Sequence, residues 1–403
     1  MTAENDDFAD FRAEVRAFLA AELTPDLLAA PRTSQLIDAA PQQAWHRKLA
    51  KRGWAVPSWP VQFGGTGWTP RQVEVFRQEL DAANAPPVSP FLEMVGPVLY
   101  TFGTPEQIEQ HLIPLRDGEI VWCQGFSEPG AGSDLAALTT RAGRDGDDYI
   151  VNGQKIWTTN AHWASWMFAL VRTGSGGRRQ DGISFLLIDM ASPGIEIRPI
   201  RSIDGLHHLN EVFLTDVRVP VANLVGPENG GWGIAKFLLE HERTGSVGSA
   251  SSLGRQIDQI RAAMSAHDDT DDPAADAERD TLDLALCEAE IALIALASFD
   301  RRQAALRRRA GAHPAHASIM KLLLTEQGQH IAELGVRALG TDALRDQSAL
   351  LEDFRPDLFR GVPDGPPIML NYLFGRAFTI LGGTSEIQRS LIFKSVGSSV
   401  AAP

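Results

Sequence analysis

The hydrophobic periodicity of this 403-residue chain changes type twice, and no other feature limits the possible folds as much. Up to about residue 120 the apolar positions recur every three or four residues. DFADFRAEVRAFLAAEL places Phe8, Phe11, Val15, Phe18 and Leu19 on one helical face. A second helix is expected over 43–52 and a third over 70–83. The third opens on Thr69-Pro70, a hydroxyl cap followed by proline at the first helical position. Between them WAVPSWPVQFGGTGW is dense in Pro, Gly and Trp and reads as an ordered loop. Past residue 120 the pattern shortens. IVWCQGF, YIVNGQKIWTT, WMFALVRT, GISFLLIDM, IEIRPI and NEVFLTDVRVP are short, β-rich and bounded by turn residues, and GRDGDDY, residues 143–149, signals a hairpin. From Gly231 the helical spacing returns in GWGIAKFLLEHERTGSVGSASSLGR, expected as the opening of one long helix. An acidic break follows at 268–280, then helical stretches from 281 and over 316–340, and an irregular segment at 342–367. The expected class is therefore α+β and multi-domain: helical over 1–120, β over 121–230, helical over 231–403.

Composition narrows the function. Apolar residues make up 44% and charged residues 22%, enough for a sizeable core. A net charge of −14 gives no basic footprint for nucleic acid. Two cysteines, Cys123 and Cys287, cannot form a disulfide framework or a metal cluster, which fits a reducing compartment. The first twenty residues lack the basic and apolar regions of a signal peptide. The longest apolar run, 163–171, is about half of what a membrane-spanning helix needs. A cytoplasmic protein without metal is expected.

Four stretches could carry chemistry. GFSEPGAGSDLAA, residues 125–137, follows a strand and groups Gly130, Gly132, Ser133 and Asp134. Small residues and hydroxyls with free N–H groups suit a phosphate or a ring edge, although an ordinary glycine-rich turn reads the same way. In GQKIWTTNAHWASW, Trp157 is either a core aromatic in a strand or, with Thr158, Thr159 and Asn160, a flat face with hydroxyls for a planar polar ring. On the helix from Gly231, the stripe Ile234–Leu238 continues to Glu242 and then to small residues. Glu242 is either a surface carboxylate pairing with Arg243 or His241, or a buried one with a raised pKa, suited to general-base work. ILGGTSEIQR, residues 380–389, runs two glycines into Ser385 and Gln388 at capping-box spacing. It is either a plain capped helix or a helix start that approaches a ligand.

Taken together and in this order, these motifs resemble the acyl-CoA dehydrogenase family over nearly the whole chain. The resemblance rests on GWAVPSWPVQFGGTGW, FGTPEQIEQHLIPLRDGE, GFSEPGAGSD, NGQKIWTTNA, NEVFLTDVRVPVANLVGPENGGW and LGGTSEIQR. The wording is closest to the branch that includes actinobacterial steroid side-chain enzymes. The resemblance implies an N-terminal helical domain, a middle β-barrel and a C-terminal four-helix bundle, with FAD between barrel and bundle. It implies an oxidoreductase acting in fatty-acid or steroid side-chain oxidation. A Glu takes the α-proton of a CoA thioester, the β-hydrogen leaves as hydride to flavin N5, and an electron-transfer flavoprotein receives the electrons. The thioester oxygen needs hydrogen-bond donors as enolate charge develops, and the base must be in line with the proton.

Carried over by position, Gln124, Phe126 and Ser127 meet the flavin ring edge, with Gly132 and Ser133 nearby, and Ser133 also contacts CoA. Trp157 and Thr159 flank the flavin. Gly383, Thr384, Ser385 and Glu386 form the loop against FAD, and Arg243 contacts the acyl-CoA. Two departures stand out. Where many members carry the base, just before the Gly-Thr of the C-terminal motif, this chain has Gly382. In the branch that includes isovaleryl-CoA dehydrogenase the base instead precedes the Arg on the helix opening the C-terminal domain, which here makes it Glu242, and Gly382 keeps an N–H for the thioester oxygen. Second, the R-x-x-F-G motif through which a neighbouring subunit reaches FAD is expected near 301–315. RRQAALRRRAGAHP lacks Phe-Gly there, and Arg337 stands where a Gln usually serves the partner's FAD. These departures imply a heterotetramer with a second acyl-CoA dehydrogenase-like subunit; the other assemblies are a homotetramer or homodimer. The competing functions are an acyl-CoA oxidase or flavin monooxygenase relative, and a non-catalytic subunit of a heteromer.

Overall fold

A computed structural model describes residues 8–29, 39–175, 177–245, 250–266, 273–307, 313–344 and 368–400. The helical start of the chain packs as the periodicity requires. Helix α1, Ala9–Glu22, buries Val15 and Leu19. Helix α2, Ala39–Arg52, begins four residues before its expected start and buries Trp45, His46 and Leu49. Helix α3, Pro70–Ala82, carries a full capping box between Thr69 and Gln72. Glu79 on α3 is buried and takes Arg16 at 2.7 Å and Arg12 of α1, so a charged contact fixes how these two helices cross. The loop between α2 and α3 is ordered by its aromatics: Trp54 and Trp59 are buried, and the Trp54 and Trp68 rings are 5.4 Å apart.

Among the described residues eight strands form one sheet. Their ranges are β1 Trp122–Gly125, β2 Arg141–Asp145, β3 Asp148–Lys155, β4 Trp166–Arg172, β5 Ile183–Asp189, β6 Ile195–Arg201, β7 His207–Pro220 and β8 Leu224–Val225. The order is β6-β7-β3-β2-β4-β5-β8, with β1 paired in parallel to β4. The expected hairpin forms: β2 and β3 are antiparallel, Asp145 opposite Asp148, with Gly146 at φ +63° in the turn. Strands β4 and β5 are almost wholly buried, while β7 alternates buried and half-buried residues. One face of the sheet therefore supports a core of its own around Tyr149, Val151, Met167, Ile188 and Val217.

The C-terminal part is helical: α4 Gly231–Gly245, α5 Ala250–Ala266, α6 Pro273–Arg307, α7 His316–Leu339, α8 Ile368–Gly375 and α9 Ser385–Val400. In the stretch expected as one long helix the described parts are α4 and α5, and residues 246–249 between them lie outside the described residues. The acidic break is shorter than expected, since α6 already begins at Pro273. Most of the segment expected to be irregular, residues 345–367, also lies outside the described residues. Helices α5, α6 and α7 share a core of Leu253, Ile257, Ile260, Leu286, Leu293, Ile331 and Leu334. No helix among the described residues is long and apolar enough to cross a membrane.

Gly231 fixes the position of α4. A Cβ there would stand 2.6 Å from the Ser184 carbonyl carbon and 2.8 Å from the Phe185 nitrogen, so the first turn of α4 lies directly against the backbone of β5. Gly231→Ala should therefore lower the unfolding free energy read from urea titration by about 1–3 kcal/mol, through overpacking. Gly233→Ala, whose Cβ would meet no atom within 4 Å, should be neutral or gain up to about 1 kcal/mol of helix propensity. Equal responses in the two variants would refute the close approach.

Candidate functional site

The first half of the site is built around a buried ion pair. Lys155, at the end of β3, lies on the strand face that carries Tyr149 and Val151 inward and is 0% exposed. Its ammonium donates to Glu128 Oε1 at 2.8 Å, to the Leu170 carbonyl at 2.8 Å and to the Phe126 carbonyl at 3.2 Å. Glu128 also accepts from the Thr139 and Thr140 N–H groups at 2.6 and 2.9 Å. Burial raises the Glu128 carboxyl, but Lys155 and the threonine donors outweigh that and hold it at about 2. These bonds close residues 126–140 into a loop on β1. At its base Gln124 is half-buried and Phe126 is buried against Phe168 and Phe185. At its tip Gly132 and Ser133 are exposed. A Cβ on Gly130 or Gly132 would meet no protein atom within 4 Å, so internal packing does not explain their smallness.

This loop meets the Trp157 segment directly, since the Ile156 N–H donates to the Ser127 carbonyl at 2.9 Å. Trp157 is not a core residue. It follows the end of β3, has φ +60° and is 57% exposed. The turn is held from β7: Thr158 N–H donates to the Asn210 carbonyl at 3.0 Å, Asn210 Nδ2 returns to the Thr158 carbonyl at 3.0 Å, and Asn160 N–H donates to the His208 carbonyl at 2.9 Å. Thr159 is half-buried between them, while Thr158 Oγ1 and Asn160 Oδ1 are buried without a partner. The His208 ring is pressed edge-on to Phe374 of α8 at 4.7 Å, so the turn abuts the C-terminal helices.

The second half lies on those helices. Ile234 and Leu238 of α4 are buried and share a core with Phe126, and Glu242 continues their stripe as a half-buried residue. The His241 Nδ1 donates to the Phe237 carbonyl one turn back at 2.9 Å. The Arg243 side chain lies outside the described residues. Gly382 and Gly383 are in left-handed conformation, with φ +63° and +89°. A Cβ on Gly382 would stand 3.5 Å from Glu242 Oε1 and 3.8 Å from Lys321 Cε. The structure thus brings together the two positions, 140 residues apart in the chain, that the sequence singles out for the base.

The capping assignment needs correction. Thr384, not Ser385, caps α9: its hydroxyl accepts from the Ile387 N–H at 3.3 Å and its carbonyl from the Gln388 N–H at 2.9 Å. Gln388 turns back instead, donating to the Gly382 and Gly383 carbonyls at 3.0 and 3.2 Å. The reason is the tight double-glycine turn, whose inward carbonyls take the Gln388 amide of the first helical turn. Ser385 Oγ and Gln388 Oε1 are buried without a partner. Glu386 is exposed at the helix start, where its own backbone N–H and the Thr384 hydroxyl hold its carboxyl low.

The proposed partner-facing motif is only partly described, since residues 308–312 lie outside the described residues. Arg301 and Arg302 on α6 and Arg337 at the end of α7 are exposed. The sequence reading missed Lys155, Glu128 and Lys321. The signal was present: Lys155 has the parity of the inward residues of β3, and Lys321 lies on the stripe of Leu324, Thr325, Gly328 and Ile331.

Three family models match the chain. They are the acyl-CoA dehydrogenase N-terminal domain over residues 5–119, the middle domain over 123–217 and the C-terminal domain over 229–397. The chain is 35% identical to the acyl-CoA dehydrogenase IpdE1 of Mycobacterium tuberculosis, over 97% of each chain. Among solved structures it is similar to one named Tcur3481-Tcur3483 steroid ACAD, with 27% identity, a TM-score of 0.79, and 99% and 98% of the two chains covered. It is also similar to the ChsE4-ChsE5 complex from Mycobacterium tuberculosis, with 29% identity, a TM-score of 0.76, and 100% and 99% covered.

The ion pair gives the loop a pH signature. Because the folded Glu128 carboxyl lies below its usual 4.5, its contribution to stability is complete above 4.5 and is lost as pH falls toward about 2. Wild-type urea midpoints should drop across that window, and those of Glu128→Gln should drop less. Lys155→Met, which leaves the carboxylate buried and unpaired, should cost about 3–5 kcal/mol at neutral pH.

Proposed function

The chain belongs to the acyl-CoA dehydrogenase family, and from that premise we propose that it oxidises the Cα–Cβ bond of an acyl-CoA thioester with Glu242 as base and FAD as cofactor. The observation that carries the reading is the distance at Gly382: a carboxylate from α4 occupies the neighbourhood into which a side chain at 382 would project. The residues present suit a large planar cofactor with a polar edge. Trp157 offers an exposed indole face, the glycines of the 126–140 loop leave open space, and Ser385 Oγ, Gln388 Oε1 and Thr158 Oγ1 are buried with unmet hydrogen-bonding capacity. Gln124, Phe126, Ser127, Gly132 and Ser133 would hold it from the sheet side with Trp157 and Thr159. Gly383, Thr384, Ser385 and Glu386 would hold it from the helical side. Bound there, FAD would supply the acceptor for the β-hydride.

The chain's own part is acid–base and positional. Glu242 takes the α-proton, and its place on α4, seated against β5 at Gly231, keeps the carboxylate in a defined position. The Gly382 N–H meets the thioester oxygen as negative charge develops. Arg243 and Ser133 contact the acyl-CoA. We assign the domains at 1–120, 121–230 and 231–403, electron-transfer flavoprotein as the acceptor, and a cytoplasmic location. The likeness to a structure named a steroid enzyme supports a bulky acyl group. The likeness to two structures named for pairs of chains, together with the missing Phe-Gly after Arg302 and the exposed Arg337, supports a heterotetramer holding fewer FAD molecules than chains.

Glu242→Gln should keep its yellow flavin, while reduction by substrate slows by about 10²–10⁴-fold. A variant that bleaches at the normal rate places the base elsewhere. Size exclusion and flavin counting test the assembly, with an acyl-CoA panel run with and without a co-expressed partner. A homotetramer carrying one FAD per chain overturns the heteromer.

A further inference from the structure

Lys321 has no part in the chemistry described so far, yet it lies beneath it. It sits on α7 and is 0% exposed. Burying an ammonium is costly unless it is both hydrogen-bonded and matched by negative charge. The hydrogen bonds go to main-chain oxygens: Nζ donates to the Phe378 carbonyl at 2.9 Å and to the Gly383 carbonyl at 2.8 Å. The negative charge comes from three elements around it. Glu242 on α4 contributes most, followed by Glu326 on α7 itself and Glu386 on α9, and together they oppose the effect of burial, which leaves the ammonium lowered to about 8.

Two consequences follow from this placement. First, the peptide group is planar and trans, so a carbonyl pinned on one side turns the N–H of the same unit to the other. Lys321 pins the Gly383 carbonyl, and Gln388 pins those of Gly382 and Gly383. The N–H groups of Gly383 and Thr384 are thereby turned away from the protein side of the turn. Second, Glu242 Oε1 and Lys321 Cε approach the same point, the place a Cβ of Gly382 would occupy, at 3.5 and 3.8 Å. Both side chains thus border one missing side chain, and the charge of Glu242 acts on the ammonium.

We propose that Lys321 is a positioning residue with two linked effects: its ammonium locks the Gly382–Gly383 turn through main-chain carbonyls, and its charge keeps Glu242 ionised and ready to accept a proton. The second effect rests on the reading of Glu242 as the base, and the test separates the two. Infrared titration of the purified full chain follows the Glu242 carboxyl, its band identified by its absence from Glu242→Gln. Three variants are compared. Lys321→Met removes donor and charge, Lys321→Gln keeps an N–H donor without charge and covers the case in which the methionine variant fails to fold, and Lys321→Arg keeps the charge. The Glu242 midpoint should rise by about 1–3 pH units in the Met and Gln variants and stay near wild type in Arg. A midpoint unchanged in the uncharged variants overturns the proposal. The acid limb of flavin reduction against pH should move with the carboxyl. If the carboxyl midpoint shifts and that limb does not, the role of Lys321 stands and the base assignment falls. A purely structural lysine would lower the rate at every pH and leave both midpoints in place.

Discussion

Lys155 carries a positive charge to a point no water reaches, and the 126–140 loop is built around neutralising it. Three of the ammonium's bonds end on three different segments: Glu128 in the loop, the Phe126 carbonyl at its root and the Leu170 carbonyl on β4. The two oxygens of Glu128 then collect the N–H groups of Thr139 and Thr140, where the loop returns to the sheet. A buried pair of this kind is weak evidence for net stability, because apolar residues of equal volume often do as well. What it provides here is a single geometry. The loop is held at root and return, so only its tip is left outside, and Trp157, two residues beyond Lys155, inherits its place from the same anchor.

The helical half repeats this device with a different lysine. Lys321 enters from α7, half of whose residues are buried, and ends on carbonyls ahead of α9. The two halves meet through rings: His208 against Phe374, and Phe374 against Phe378, whose carbonyl is one of the two that Lys321 holds. A disturbance at the Trp157 turn therefore has a short packed route to the double-glycine turn. Rigid helices and strands set the positions of the proposed base and ring face, and short turns supply backbone N–H groups.

How legible the molecule was from its sequence depended on the kind of interaction. Periodicity located the helices and strands because burial of apolar faces sets both, and the Thr69-Pro70 start emerged as a complete cap. Glu242 stood out because a carboxylate interrupts an apolar stripe, and the structure sets it beside Gly382. The misses share one cause. A lysine is presumed to be solvated, and what buries Lys155 and Lys321 is backbone oxygen from residues 15 to 62 positions away, which no local window contains. Trp157 was ambiguous for a related reason: alternation alone would bury it, and the left-handed φ that turns it outward is imposed by hydrogen bonds from β7. At ILGGTSEIQR the spacing suggested Ser385 as the cap. The double glycine moved the cap to Thr384, because Gln388 was needed for the turn's own carbonyls.

The distance at Gly382 also bears on how such a site changes over evolutionary time. In this chain the Glu242 carboxylate stands where a side chain at 382 would also project, and its charge acts on one buried ammonium. Under the proposed role of Glu242, the carboxylate could be supplied from either backbone. The order of the two changes matters. A chain with both carboxylates would crowd like charges around a single lysine and push one of them to hold its proton. A chain with neither would leave that lysine short of its closest counter-charge. The glycine at 382 is thus the permissive state, because it relieves the crowding and tolerates the left-handed backbone while the charge is supplied from the helix opposite.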